Sequence, residues 1–244
     1  AKVAIAGTLD GVETTLTKSG RSFRSALGMR SIFYSINAPF GAVVPSTEGS
    51  LCDEPAPDAG FTDVADGSTH DEDIDCVGFL GVIPGVTPTT FQPTAAIPRR
   101  HMALFMIRAA DRLGVALPEP TDQGFTDIAN LTQEEKDAIN QMAILGLTKG
   151  TAPDKYSPDR TIDRWQMAIF LVRLHVAAGF DPPSGDGTVF TDLGGHPDEA
   201  IRSIYQIYNL GVTKGTSATT YSPESQVTRE QMASFLARIL RLDS

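Results

Sequence analysis

Three arginines stand where a helix would rather have an acid. Arg99, Arg164 and Arg229 open the amphipathic stretches "PRRHMALFMIR", "DRWQMAIFLVR" and "TREQMASFLAR". A cation in the first turn opposes the helix dipole, whose positive end prefers carboxylates. Two chemistries would justify it. In the first, the free amides of the helix start and the planar guanidinium fork together bind an anion such as a carboxylate or phosphate. In the second, each arginine pairs with an acid of a unit's opening motif and locks neighbouring units together. The acids in question are Asp63, Asp127 and Asp192, in "FTDV", "FTDI" and "FTDL". The two readings are compatible if the ion pair floors a groove. Lys149 with Gly150, and Lys214 with Gly215, sit in "LTKGT" and "VTKGT" turns and would add a cation for a sugar acid. Surface lysines in turns are otherwise simply solvated.

The elements that must position these groups repeat. Three units of about 65 residues start at Phe61, Phe125 and Phe190. Within them Leu80–Arg108, Leu145–Arg173 and Leu210–Arg238 align without a gap. All three share Leu-Gly, a second glycine, a proline, the arginine, Met-Ala, a phenylalanine and a final arginine. Each unit reads as helix, glycine turn, helix. Thr69 with Glu72 and Thr132 with Glu135 have capping-box spacing, and Pro197 suits a first helical position. The buried stripes fall at helical spacing: Ile74, Val77 and Gly78, then Ile139, Met142 and Ala143, then Ile204, Ile207 and Tyr208 in the first helices. In the second helices they are Met102, Phe105 and Met106, then Met167, Phe170 and Leu171, then Met232, Phe235 and Leu236. One unit cannot hide such faces alone, so the three are expected to pack together.

The expected divisions are a β-rich fragment at 1–38, a proline-rich linker at 39–60, and repeats at 61–117, 125–183 and 190–244. "KVAIAGTLDG" and "ETTLTKSG" alternate like two strands of a hairpin turning at Asp10-Gly11. A short helix and a strand are expected over "RSFRSALGMRSIFYSI". The chain opens on what reads as a strand, so it is taken as a fragment or mature form of something longer.

The net charge of -10 excludes bulk binding to nucleic acid. No apolar run is long enough to span a membrane. Cys52 and Cys76 lack metal-ligand spacing. They read either as a disulfide, which would suit an exported protein, or as two separate thiols. The acidic run "DGSTHDEDID" lacks the glycine and closing glutamate of a calcium loop and reads as a solvated helix start. No nucleophile, zinc-protease or phosphate-loop motif is present, and the four histidines are scattered one per element, so no catalysis, metal or cofactor is expected. Trp165 is read as partly buried packing rather than a sugar platform.

Over residues 61–244 the chain resembles the S-layer homology domain. The resemblance rests on the opening Phe-x-Asp, the Leu-Gly-turn-Gly, the aromatic-x-Pro and an arginine box, in order, three times. It implies a mainly α fold, three helix-loop-helix repeats packed as a pseudo-threefold module behind the small β-rich fragment. It also implies an extracellular protein anchored without covalent bonds to an anionic cell-wall polysaccharide, in that family often pyruvylated. The family's Thr-Arg-Ala-Glu box is Pro98-Arg99-Arg100-His101, Asp163-Arg164-Trp165-Gln166 and Thr228-Arg229-Glu230-Gln231 here, so the closing glutamate is absent three times. Carried over residue by residue, the glycan site would comprise Arg99, Arg164, Arg229, Lys149, Lys214, Gly150, Gly215, Asp63, Asp127 and Asp192. Arg164 and Arg229 would carry most of the affinity, since Pro84 replaces the turn lysine in the first repeat. The opening "TLTKSGRSFRSALGMRSIFYSI" is similar to the end of stage II sporulation protein D-like domains, which would make the chain part of a wall-remodelling enzyme. A third reading makes the repeats a self-assembly or protein-binding module.

Overall fold

The computed structural model describes residues 2–9, 12–19, 51–52 and 56–242. Two compact units divide the chain, residues 1–49 and 50–244. In the first, strands β1 (Lys2–Leu9) and β2 (Val12–Ser19) pair antiparallel with Leu9 opposite Val12. The expected turn at Asp10-Gly11, and the helix and strand expected after it, lie outside the described residues.

The second unit is mainly α. Its helices are α1 (Asp71–Phe79), α2 (Arg99–Arg112), α3 (Gln133–Ile144), α4 (Arg164–Ala177), α5 (Asp198–Asn209) and α6 (Arg229–Arg241). Local signals explain several of their ends. Thr132 and Glu135 form the anticipated capping box on α3, and Thr228 with Gln231 forms an unanticipated one on α6. At α1 the expected Thr69–Glu72 box does not form. His70 is the N-cap there, and Asp71, Glu72 and Asp73 supply charge to the first turn instead.

The helix pairing corrects the simplest view of a helix-loop-helix repeat. The two helices of one repeat do not pack on each other. Each second helix packs instead on the first helix of the next repeat: α2 on α3, α4 on α5, and α6 back on α1. The three second helices α2, α4 and α6 also touch one another in the middle. The module is therefore a closed ring of three interlocked repeats, and the anticipated apolar stripes are buried in one continuous core, with Gly78, Ala143 and Tyr208 half-buried at its edge.

A repeat is held to itself by its loops. Thr62, Thr126 and Thr191 each donate a backbone N–H to their own glycine turn, at the carbonyls of Thr89, Asp154 and Thr219, all at 2.9 Å. The opening phenylalanine packs closely against the turn glycine. A Cβ built on Gly150 would stand 2.7 Å from the Phe125 ring and 2.5 Å from the Lys155 carbonyl, and Gly150 also holds φ +75°. Only glycine satisfies both demands.

At the threefold centre the short segments before α2, α4 and α6 form a closed circuit of backbone bonds. The Ile97 N–H donates to the Val227 carbonyl (3.1 Å), the Val227 N–H to Ile162 (2.8 Å), and the Ile162 N–H to Ile97 (3.2 Å). Their side chains are buried, so three β-branched residues both fill the centre and stitch it.

The closing junction, repeat 3 on repeat 1, is cross-linked by side chains. Arg241 Nη1 meets Asp73 Oδ1 at 2.6 Å, Arg238 Nη2 lies 3.6 Å from Asp73 Oδ2, and His70 Nδ1 shares a hydrogen bond with Ser234 Oγ at 2.8 Å. Cys52 and Cys76 are joined as a disulfide, and Arg241 Nε donates to the Cys52 carbonyl at 3.1 Å.

Interlocking makes the ring one cooperative unit. Removing residues 189–244 would strip α1 and α4 of their partner helices together. The remainder should therefore lose its sigmoidal thermal transition in circular dichroism, not merely melt earlier. A truncated chain that melts cooperatively near the parent temperature would contradict the interlock.

Candidate functional site

The arginines do not face solvent. Arg99, Arg164 and Arg229 are 2%, 4% and 7% exposed, so a ligand meets at most their rims. Nor are the amides of their helix starts free. Arg99 and Arg100 donate to the carbonyls of Arg160 and Pro158, Arg164 and Trp165 to Ser225 and Pro223, and Arg229 and Glu230 to Ala95 and Pro93, all within 2.9–3.1 Å. Each helix start is capped by backbone from another repeat. An anion cradle built from open amides is therefore absent at all three starts, because protein carbonyls already occupy the donors.

The guanidinium leaves its own helix and grips the aromatic of the neighbour. Arg99 Nε donates to the Tyr156 carbonyl at 2.8 Å, Arg164 Nε to Tyr221 at 2.9 Å, and Arg229 Nε to Phe91 at 2.6 Å. Each also lies over the ring of that same residue, Cζ to centroid 4.7, 4.6 and 4.6 Å. A second ring flanks each of them: Phe170, Phe235 and Phe105. The unfavourable helix position is thus offset by a carbonyl and two negative ring faces.

The opening aspartates reach the same aromatic from the other side. Asp127 accepts from the Tyr156 and Ser157 amides at 2.9 and 2.8 Å. Asp63 does the same at Phe91 and Gln92, and Asp192 at Tyr221 and Ser222. The expected arginine–aspartate ion pair does not form among the described residues. Both groups bracket one aromatic, the aspartate from within the repeat and the arginine from its neighbour. The second residue of each bracket, Gln92, Ser157 and Ser222, sits at φ 56–58°, which strains a residue with a side chain. The carboxylate that takes its amide offsets that strain. Nothing in the residue types announced this conformation, and only the fixed aromatic-x-Pro spacing hinted at it.

Partial burial alone would raise the three aspartate pKa values. The backbone amides they accept from outweigh that effect and hold all three below the ordinary 3.8.

The final arginines of the repeats, passed over as site residues, form a second set of inter-repeat ties. Arg108 Nη2 reaches Glu134 and Arg173 Nη2 reaches Glu199, both at 2.6 Å, while Arg238 serves Asp73. Arg173 and Arg238 also donate to the Leu147 and Val212 carbonyls of their own turns. Their identity in three copies was the available signal.

What faces outward at the junctions differs among them. Lys149 and Lys214 are exposed, on turns whose Thr148 and Thr213 are buried and donate no side-chain charge. Pro84 stands at their place in repeat 1, where its carbonyl accepts from Arg229 Nη2 at 2.8 Å. The position after each buried arginine varies most. Arg100 lies between Asp159 and Glu135, and Glu230 puts a carboxylate in the first turn of α6. Trp165 is half-buried with His196 against it, and His196 Nε2 contacts Glu224 at 2.9 Å. Hydroxyl pairs Thr151–Ser157 and Thr216–Ser222, both 2.7 Å, complete a polar rim on repeats 2 and 3. Such rims offer cations, hydroxyls and a partly open indole, the equipment for holding a polyhydroxylated anion. The described residues contain no cluster of side chains able to hold a metal ion.

Comparison with known proteins agrees with this geometry. Residues 124–168 and 189–233, within repeats 2 and 3, match the S-layer homology domain. The chain is also similar to a curated endoglucanase of Bacillus sp. (strain KSM-635), 26% identical over 161 residues. That alignment covers 65% of this chain and 16% of the endoglucanase.

Replacing a buried arginine should therefore act on stability first. Arg164→Ala removes a charge-assisted hydrogen bond and two ring contacts, about 2–4 kcal/mol together. Arg229→Ala should cost more than Arg164→Ala, having the extra bond to Pro84, and denaturant midpoints would rank them. Asp127→Asn should behave differently with pH. A carboxylate held below its unfolded value stabilises above about pH 4 and loses that contribution as pH falls through the folded value. Acid unfolding should consequently be shallower in Asp127→Asn than in the parent, with the gap between them closing below about pH 4.

Proposed function

We propose that this chain anchors a bacterial surface protein by binding an anionic cell-wall polysaccharide at the outer rims of its repeat junctions. The single observation that carries the reading is the match of residues 124–168 and 189–233 to the S-layer homology domain. The same residues supply two interlocked members of the three-repeat ring.

The geometry redistributes the roles among the residues. Arg99, Arg164, Arg229, Gly150 and Gly215 build the rims from inside, while Asp63, Asp127 and Asp192, exposed or half-buried, are committed to backbone amides of the aromatic turns. Direct contact with the polymer falls to groups that solvent reaches: Lys149 and Lys214, the turn hydroxyls and Trp165. A carboxylate on the glycan, such as a pyruvate ketal or uronate, suits the two lysines. The net charge of -10 gives no long-range attraction, so the local cations must hold the anion.

We assign the chain no catalytic role. The endoglucanase similarity extends over 16% of that protein, and hydrolysis is not transferred on so small a share. The oxidising cell exterior that this function implies agrees with the Cys52–Cys76 disulfide.

The full chain should be retained by purified cell-wall sacculi and lost when the non-peptidoglycan polymer is stripped. No retention on either preparation would end the reading. Lys149→Glu with Lys214→Glu should weaken retention about tenfold or more while leaving the melting temperature nearly unchanged, since both lysines are exposed. Zymography on peptidoglycan should show no clearing.

A further inference from the structure

Repeats 2 and 3 fasten the chain that leads into them by the same device. Gln141 on α3 donates Nε2 to the Pro118 carbonyl at 2.9 Å, and Gln206 on α5 donates to Pro183 at 3.1 Å. Both glutamines stand four residues before the Leu-Gly pair, and the residue at that place on α1 is Cys76. Counted back from the opening phenylalanines, Cys52 lies two residues from the position aligned with Pro118 and Pro183. The bond between them is the disulfide, with both cysteines buried. Repeat 1 has thus replaced an exchangeable hydrogen bond by a covalent one, at the same point of the repeat.

The difference has a physical reason. The linkers into repeats 2 and 3 continue directly from α2 and α4, which are packed in the ring, so their upstream ends are already held. The segment entering repeat 1 carries Cys52, which the disulfide joins to α1. A covalent bond restricts that segment more than a single hydrogen bond would. The covalent seat then serves the opposite end of the chain. It fixes the Cys52 carbonyl that accepts from Arg241 Nε, and Arg241 in turn holds Asp73 on α1. Entry and exit of the ring are tied at one place.

We propose that the Cys52–Cys76 disulfide is the latch of ring closure, making the junction of repeat 3 with repeat 1 sensitive to redox state. In a reducing compartment the two thiols leave the entry segment unpinned. On oxidation by a small-molecule disulfide, the two thiols lose two protons and two electrons, the Sγ–Sγ bond forms, and the oxidant leaves as two thiols. The ring then closes fully. The module would accordingly reach its finished form in an oxidising environment, and reduction would loosen one junction and spare the other two. The inference rests on the ring and not on the glycan.

Hydrogen exchange on the full chain separates the outcomes. Reduced protein and Cys52→Ser/Cys76→Ser should exchange at least tenfold faster in α1 and the last turns of α6, with α3 and α4 unchanged. A second variant, Cys52→Ser/Cys76→Gln, gives repeat 1 the glutamine of the other repeats and should recover part of that protection without any thiol. Equal protection in oxidised and reduced protein would overturn the latch. So would faster exchange spread evenly over all six helices, which would make the disulfide a general stabiliser. A glutamine variant recovering no protection would overturn the equivalence with Gln141 and Gln206. Retention on sacculi is read separately, so failure of glycan binding leaves this result standing.

Discussion

A guanidinium that abandons its own helix is the interaction on which the ring depends. Arg99, Arg164 and Arg229 begin helices in one repeat yet place their charge on a carbonyl and an aromatic face of another. Burying a charge without partners would be prohibitive, and burying one beneath two rings with a hydrogen bond is tolerable. The aspartate on the far side of the same aromatic completes the arrangement. It fixes the backbone whose carbonyl the arginine needs, and its negative charge favours the buried cation without touching it. A repeat therefore presents a finished receptor only after its own opening motif has closed on its own turn.

The three junctions solve the same problem with unequal parts. Tyr156 and Tyr221 return a hydroxyl hydrogen bond to the backbone carbonyl of the arginine that grips them, both at 3.0 Å. Phe91 cannot. There the loss coincides with a gain, since Arg229 takes the Pro84 carbonyl as a second acceptor. The corresponding nitrogen of Arg99 is buried without a partner among the described residues. Repeat 1 differs from its siblings in turn, aromatic and entry segment, and each difference has its own compensation nearby. The closing junction accumulates them all: the extra arginine bond, the Asp73 cluster and the disulfide.

Much of this was legible in the residues. Alignment of three copies gave the repeat boundaries, and helical spacing of Met102, Phe105 and Met106 with their counterparts marked the faces that are buried. The arginines were conspicuous because they offend the dipole, and locking of neighbouring repeats was one of two explanations. The partner was misjudged. Opposite charges suggested arginine on aspartate, whereas the arginine meets the residue the aspartate holds, and no pairwise charge rule points to a shared third residue. The swap of helix partners was equally hidden. Periodicity says which face is apolar and never which helix covers it, and a loop joining two helices does not oblige them to pack. The left-handed Gln92, Ser157 and Ser222 left no mark in residue type, because the aspartate that takes each amide stands 29 or 30 positions away.

The division between what is repeated and what varies then carries functional meaning. The residues identical in all copies, arginine, opening aspartate, turn glycine and final arginine, are spent on making the ring. Repetition therefore marks architecture here. On the proposed reading, recognition draws on solvent-facing places where the threefold is broken. Arg100, Trp165 and Glu230 occupy one equivalent position with a cation, an aromatic and an anion. Pro84, Lys149 and Lys214 occupy another. A single junction rim cannot be read from the other two, since charge and stacking capacity change at each. Three near-identical brackets hold up three chemically different surfaces, so a polymer lying across the ring would meet a sequence of unlike subsites. The internal symmetry that stabilises the fold thus leaves the outer rim free to diverge without cost to the core.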